Sequence, residues 1–471
     1  MKFSAFLIII FALSASAQSR RVIPADPAVT TVASIADQSV KSMFDEANTY
    51  SRNKFTEFEQ KKIAYSEGLR KQTQIEQKQL AAKYAGVVSQ RTNIAGEDLY
   101  YLGMLHWIAE NLDGATAALS RYVADPSSVP DKTQTSRSVL VIISSKKLNF
   151  SEAEAKLAEY LKTGPVKLSE RARMENELAK AYLSVQDFGN AGTHAATAFS
   201  STKSVLADPA NRSRGLDQLI DDAMVLFEAT SSGGKTTDAD GAMEALRKAA
   251  SEFDAPNVYF FAVDKQITYM IETGRKPKAM ELFAGAAVLA AKDFPDKEKE
   301  NVIARLLKKR EIHYKLLGET APELGIVDRW IPGEKSTLEG LRGKVVFLDF
   351  WATWCAPCFE AFPHLSEWNA QYKADGLYVL GITRYYGMAE GIPADHDTEI
   401  SFVERFKKIR KLDYDLAVTA DQSVQRDFGA LALPTAVIID RKGIIRYIEA
   451  GSSPSRFDDM QKMIVKLLAE R

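Results

Sequence analysis

Apolar positions over the first two thirds of the chain recur at helical spacing and then repeat at a longer interval. Leu102, Leu140 and Leu178 stand 38 apart, and the same offset links Ala115, Ala153 and Ala191, then Leu119, Leu157 and Ala195, then Tyr122, Tyr160 and Ala198. Pro126 and Pro165, 39 apart, mark the end of the unit more loosely. Within a unit the steps of 13, 4 and 3 predict two amphipathic helices back to back, with small residues where they cross closely. After the insert Ser231-Ser232-Gly233-Gly234 the pattern resumes at Ala242, Leu246 and Ala249, echoed 37 residues later by Ala279, Phe283 and Ala286. That makes about five helical hairpins. Upstream, residues 34–91 are rich in Lys, Gln and Glu, with Phe55, Phe58, Ile63 and Tyr65 at helical spacing, and predict one or two long amphipathic helices capping the array.

From about Gly318 the period changes. Residues 344–350 form a nearly continuous apolar run of strand length after Arg342-Gly343, as expected of a strand buried on both faces. The run leads into Trp351-Ala352-Thr353-Trp354-Cys355-Ala356-Pro357-Cys358 and a helical stretch over 359–372. Further on, the pattern predicts a strand over 378–383, a helix from near Glu399, a β-hairpin of 436–439 and 444–448 around Asp440-Arg441-Lys442-Gly443, and a closing helix over 455–469. The chain therefore reads as multidomain, an all-α array of helical hairpins followed by an α/β fold. Its expected divisions are 1–17, 18–96, 97–317 and 318–471.

Charge and composition narrow the function. The 61 Lys and Arg against 62 Asp and Glu leave a formal net charge of −1, with no field to attract nucleic acid or an anionic membrane. A hydrophobic content of 46% is too high for a disordered chain. Lys2, the apolar run Phe3 to Leu13 and Ala15-Ser16-Ala17 read as a signal peptide cleaved after Ala17. That run is far short of the roughly twenty residues that span a bilayer, and no later segment approaches spanning length. The mature chain is thus expected outside the cytoplasm, in a bacterial periplasm, with no integral membrane segment.

Only two cysteines occur, Cys355 and Cys358, which excludes a disulfide-stapled scaffold. With no second cysteine pair, half a zinc site is disfavoured, and His106, His194 and His313 have no second ligand at metal spacing. Strand, CxxC, helix is the order that dithiol chemistry requires. Cys355 at a helix amino terminus faces unpaired N–H groups and the positive end of the helix dipole, which favour its thiolate. Cys358 can then reach the mixed disulfide formed by Cys355 and release the substrate. Strand alternation places Asp349 on one face with Val345, Phe347 and Trp351, where desolvation should raise its pKa.

At these residues the chain resembles the thioredoxin superfamily, in its TlpA/ResA-type extracytoplasmic branch. The resemblance rests on 350–358, on Leu341-Arg342-Gly343-Lys344, on Gly318-Glu319-Thr320-Ala321-Pro322 and on Phe428-Gly429-Ala430-Leu431-Ala432-Leu433-Pro434-Thr435. It implies a thioredoxin fold over 318–471 and a disulfide reductase that needs no cofactor beyond a redox-active Cys355–Cys358 disulfide. It also implies that Asp349 is the proton acceptor for Cys358, that Pro434 is a cis-proline beside the dithiol, and that the Leu433 backbone pairs with an incoming substrate strand. Trp354, Ala356, Pro357 and Leu433 are expected substrate contacts, together with Tyr385, Tyr386 and Met388 from the loop 384–397. ResA-type proteins place a glutamate three residues after the second cysteine; here that residue is Ala361 and the acid is Glu360. Upstream, Leu102-Gly103, Ala115 and Leu119 resemble a lengthened tetratricopeptide repeat, which implies a protein-binding surface. With Ala356-Pro357 between the cysteines and no imidazole to stabilise the thiolate, a reducing poise is expected. The partners expected are protein thiol or disulfide clients and a separate electron donor. Two rival readings are a binding scaffold whose thioredoxin domain docks partners or senses redox state, and a peroxidase.

Overall fold

The computed structural model describes residues 37–470, so the segment 1–17 read as a signal peptide lies outside the described residues. Among the described residues no helix is long and apolar enough to cross a membrane. The chain separates into two compact units, Met1–Ala181 and Tyr182–Arg471.

The first unit contains helices α1 (Val40–Gln60), α2 (Glu67–Ser89), α3 (Glu97–Ile108), α4 (Leu112–Val123), α5 (Pro130–Lys146), α6 (Phe150–Lys162) and most of α7 (Leu168–Ser184). Ser39 and Ser66 start the first two by accepting the N–H groups of Ser42 and Leu69, the N-cap role in which a side-chain oxygen replaces a missing helical acceptor. Val40, Met43 and Ala47 of α1 pack with Ala81, Tyr84, Ala85 and Val88 of α2 and with Tyr101, Leu102 and Leu105 of α3. The helical spacing read across 55–65 is interrupted: α1 ends at Gln60, Lys62 takes a left-handed φ of 56°, and Ile63 and Tyr65 are exposed in the connection. The repeated positions Ala115, Leu119 and Tyr122 of α4 and Ala153, Leu157 and Tyr160 of α6 are all buried. Gly103 shows why small residues recur: a Cβ there would stand 2.5 Å from the Leu119 side chain, so α3 and α4 cross too closely to admit one.

The second unit continues with α8 (Phe188–Leu206), α9 (Arg212–Ser232), α10 (Thr236–Glu252), α11 (Pro256–Glu272), α12 (Lys276–Asp293) and α13 (Lys297–Leu316). A mixed six-stranded sheet follows. It is built from β1 (Val327–Ile331), β2 (Val345–Phe350), β3 (Leu377–Arg384), β6 (Asp415–Thr419), β7 (Thr435–Ile439) and β8 (Ile445–Ala450) in the order β1-β6-β3-β2-β7-β8. Strands β2, β3 and β6 are parallel, and β1, β7 and β8 run against their neighbours. Helices α14 (Ala361–Tyr372), α15 (His396–Arg410), α16 (Ser423–Asp427) and α17 (Pro454–Ala469) complete the fold, with a short hairpin of β4 (Met388–Ala389) and β5 (Ile392–Pro393) before α15. Helices followed by an α/β domain are the architecture the hydrophobic pattern predicts, and the mixed sheet is thioredoxin-like, as the family resemblance implies.

All six residues of β2 are buried, and they divide by alternation. Val345 and Phe347, with Trp351 just beyond the strand, join the core under α14, α15 and α17. Val346, Leu348 and Phe350 belong to a core that runs without a break into the helices, through Leu317, Tyr314, Leu307 and Ile303 as far back as Phe199. Each such side chain contributes roughly 1.5–3 kcal/mol by leaving water. The helices from α8 to α13 and the sheet therefore stabilise one another through shared apolar surface.

Candidate active site

The parallel pairing of β2 with β3 sets Phe350 opposite Ile382, and the Trp351 N–H donates to the Ile382 carbonyl at 3.0 Å. Both strands therefore end at one edge of the sheet, where the CxxC segment and the loop after β3 emerge together. Cys355 and Cys358 are joined as a disulfide. Cys355 caps a 3₁₀ turn, Ala356–Glu360, which leads directly into α14. The α-helix thus starts at Ala361 and not at 359, because Pro363 has no N–H for the carbonyl of Phe359 and fits only the first turn of an α-helix. Of the two cysteines Cys355 alone keeps some surface, 3% against 0% for Cys358. Ala356 and Pro357 are exposed beside it, and Trp354 is 59% exposed.

Asp349 is fully enclosed and lies opposite Gly381 on β3 and Ala436 on β7. Burial pushes its carboxyl up to about 7, since no neighbouring cation offsets the lost hydration. Its Oδ2 has no hydrogen-bond partner, as expected of a group available to receive a proton. A narrow crevice brings Asp349 together with Pro434, Ala361, Phe347, Phe457 and Met460. Ala361 thus lines the crevice, while Glu360 is exposed outside that lining and accepts the Ser452 hydroxyl at 2.9 Å.

The Leu433–Pro434 peptide is cis, and Pro434 is buried while Leu433 is half-buried. The Gly451 N–H donates to the Pro434 carbonyl at 2.7 Å, and the Thr435 hydroxyl to that of Ala432 at 2.6 Å. The Leu433 segment is thereby held from both sides.

The two tyrosines of the loop after β3 part company. Tyr386 packs edge-to-face on Trp354 with ring centroids 5.2 Å apart, and the Arg384 guanidinium lies 4.1 Å over its ring. Tyr385 turns inward: its ring is buried, stacks on His396 at 3.7 Å and donates its hydroxyl to Asp328. Tyr385, expected with Tyr386 at the substrate, thus holds the loop to β1 through its hydroxyl, and of the two rings only that of Tyr386 packs on Trp354. Met388 stays exposed on the β4–β5 hairpin.

Two anchors of this loop went unread in the sequence. Helix α15 starts at His396, capped by Asp395, which accepts the Thr398 N–H at 2.9 Å, and not near Glu399. Glu399 is instead a buried carboxylate that accepts the N–H groups of Tyr386 and Gly387 at 2.8 and 2.9 Å. Gln425 of α16 bridges the Arg384 guanidinium and the Tyr386 hydroxyl at 3.1 and 3.2 Å. The signal for α15 was Asp395 followed by acidic residues in a first turn. Gln425 gave none, since its partners are about forty residues away. Among the described residues no group of three or more His, Cys, Asp or Glu is placed to hold a metal ion.

The segment that carries this site is similar to known proteins. A family model described as the AhpC/TSA family matches residues 317–448. A thiol-disulfide oxidoreductase ResA from Bacillus thuringiensis subsp. konkukian is 30% identical over 149 residues, covering 31% of this chain and 78% of that protein. A thioredoxin-like protein YneN from Bacillus subtilis is 30% identical over 135 residues, covering 29% and 72%. Among solved structures, a thiol:disulfide interchange protein of the thioredoxin family from Chlorobium tepidum aligns at 21% identity and a TM-score of 0.26, over 32% of this chain and 97% of that one.

Proposed function

Through its C-terminal third the chain belongs to the ResA-type thiol-disulfide oxidoreductases, and we propose that it reduces disulfides of protein clients outside the cytoplasm. The observation that supports this reading best is the asymmetry of the dithiol: Cys355 keeps 3% of its surface next to the exposed Trp354, whereas Cys358 is fully enclosed.

In the proposed cycle the Cys355 thiolate of the reduced enzyme attacks one sulfur of a client disulfide. A mixed disulfide forms and the first client thiolate leaves. Asp349 takes the proton from the Cys358 thiol, and the resulting thiolate attacks the Cys355 sulfur, expelling the second client thiolate. The client gains two electrons and the enzyme is left as the Cys355–Cys358 disulfide. A separate donor of two electrons must restore the dithiol, and no metal or organic cofactor takes part. The cis-Pro434 segment would seat the client backbone beside the dithiol, with Leu433 offering its backbone for pairing. Trp354 and Tyr386 would flank the incoming chain, next to Ala356 and Pro357.

Two measurements test this. The reduction potential should lie below about −180 mV, on the reducing side of isomerases and oxidants, because Ala356 and Pro357 supply no charge to stabilise the thiolate. A more positive value would make the protein an oxidant or isomerase. Trp354→Ala should raise KM for a protein client such as insulin about tenfold, from the loss of a large apolar contact at the edge of the site. It should leave the rate with a small disulfide within about twofold, and equal losses on both would remove Trp354 from substrate binding.

A further inference from the structure

Helix α13 meets the redox domain with two buried polar side chains that no step of the dithiol cycle uses, Arg310 and His313. The His313 Nε2 lies 2.9 Å from the carbonyl oxygen of Gly429, and its Nδ1 lies 2.9 Å from Arg310 Nη1. A carbonyl only accepts, so Nε2 carries the proton and donates it. Nδ1 must accept from the guanidinium, which does not deprotonate, and the imidazole is therefore neutral. Burial and the Arg310 charge agree with this, holding the ring below the usual histidine pKa. Arg310 Nη1 also donates to the Ile448 carbonyl at 3.1 Å. Its charge is met by Asp264 at 2.8 Å and Glu449 at 3.4 Å, and the Tyr314 hydroxyl donates to the same Asp264 oxygen at 2.6 Å.

The two carbonyls held in this way bracket the cis-proline. Gly429 precedes Pro434 by five residues. Ile448 pairs with Val437, three residues beyond Pro434, and the same strand leads to Gly451, whose N–H holds the Pro434 carbonyl. Side chains of the helix also press directly on the loop backbone. Gly429 has a φ of 65°, and a Cβ there would stand 2.8 Å from His313 Cδ2 and 2.9 Å from Ile312 Cγ2. No side chain larger than hydrogen fits that contact.

We propose that Arg310 and His313 are positioning residues, a clamp from the helical region on both flanks of the cis-Pro434 segment. The groove that takes an extended client chain is then set by α13 together with the redox domain. This rests on the reading of the chain as a reductase of protein disulfides, but the clamp itself can be measured without turnover.

The test uses the full chain as wild type, His313→Ala and His313→Gln. One glutamine amide both donates and accepts, and it does not titrate. Hydrogen exchange of the oxidised protein is read over 428–436, with β3 as the control for global folding. In His313→Ala, exchange over 428–436 should quicken about tenfold, the effect of one lost buried hydrogen bond on local opening, while β3 is unchanged and His313→Gln is near wild type. On the reduced proteins, KM for insulin should rise about tenfold in His313→Ala, with the rate toward Ellman's reagent, a small disulfide that needs no groove, within about twofold. Unchanged exchange over 428–436 in His313→Ala would overturn the clamp, and so would equal losses on insulin and Ellman's reagent. A wild type inert toward insulin, with exchange responding as stated, would uphold the clamp and overturn the reductase reading.

Discussion

Cys355→Ser will bring insulin reduction down to the uncatalysed background, a loss of at least about a thousandfold, because the one thiol left, Cys358, is fully enclosed and cannot reach a client disulfide. Cys358→Ser will behave differently. Cys355 can still attack a client disulfide, but nothing resolves the product, so the client stays bound through a mixed disulfide that dithiothreitol releases. Non-reducing electrophoresis of the two variants incubated with an oxidised client separates the roles: adducts are expected with Cys358→Ser and none with Cys355→Ser. The reverse pattern would exchange the two cysteines and contradict the asymmetry of burial. Neither change should alter the melting temperature by more than a few degrees, since a crosslink across three residues removes little chain entropy.

Asp349→Asn will slow resolution about a hundredfold, the usual scale for removing a general base, and will abolish its pH dependence. With the carboxyl pushed up to about 7, the base is protonated and idle in acid. The wild-type rate of client release should therefore rise through pH 7 and level off above it, and the Asn variant should show no such inflection. Stability should move the opposite way. Between the ordinary carboxyl pKa near 4 and about 7 the folded protein keeps a proton that the unfolded chain has lost, so wild-type stability falls across that window and is flat above it. The stability of wild type relative to Asp349→Asn should drop by on the order of 4 kcal/mol between pH 4 and pH 8. Urea denaturation of both proteins at the two pH values measures the difference. A gap that does not change with pH would mean that the carboxylate ionises normally.

Much of the site was legible because it depends on contiguous residues. Strand, CxxC and helix follow one another within 344–372, and two-residue alternation alone put Asp349 on an enclosed face. The Phe428 to Thr435 block carried its own signature. Which of the adjacent tyrosines Tyr385 and Tyr386 turns inward was not legible in the sequence of their loop. That depends on Asp328 and His396, one on β1 and the other at the start of α15. The same holds for Glu399, whose buried carboxylate has meaning only once the loop folds back over it.

The amino-acid sequence by itself determined the helical array, the strands and helices of the α/β domain, and the dithiol with its aspartate. Each follows from periodicity or from side chains close in the chain, where spacing dictates geometry. Tertiary structure decided what lies around the dithiol. The arrangement of Trp354 against Tyr386, the crevice joining Asp349 to Pro434, and the grip of Arg310 and His313 on two carbonyls more than a hundred residues away all unite separate segments. A carbonyl is common to every residue, so which one a buried guanidinium or imidazole meets is settled by packing alone.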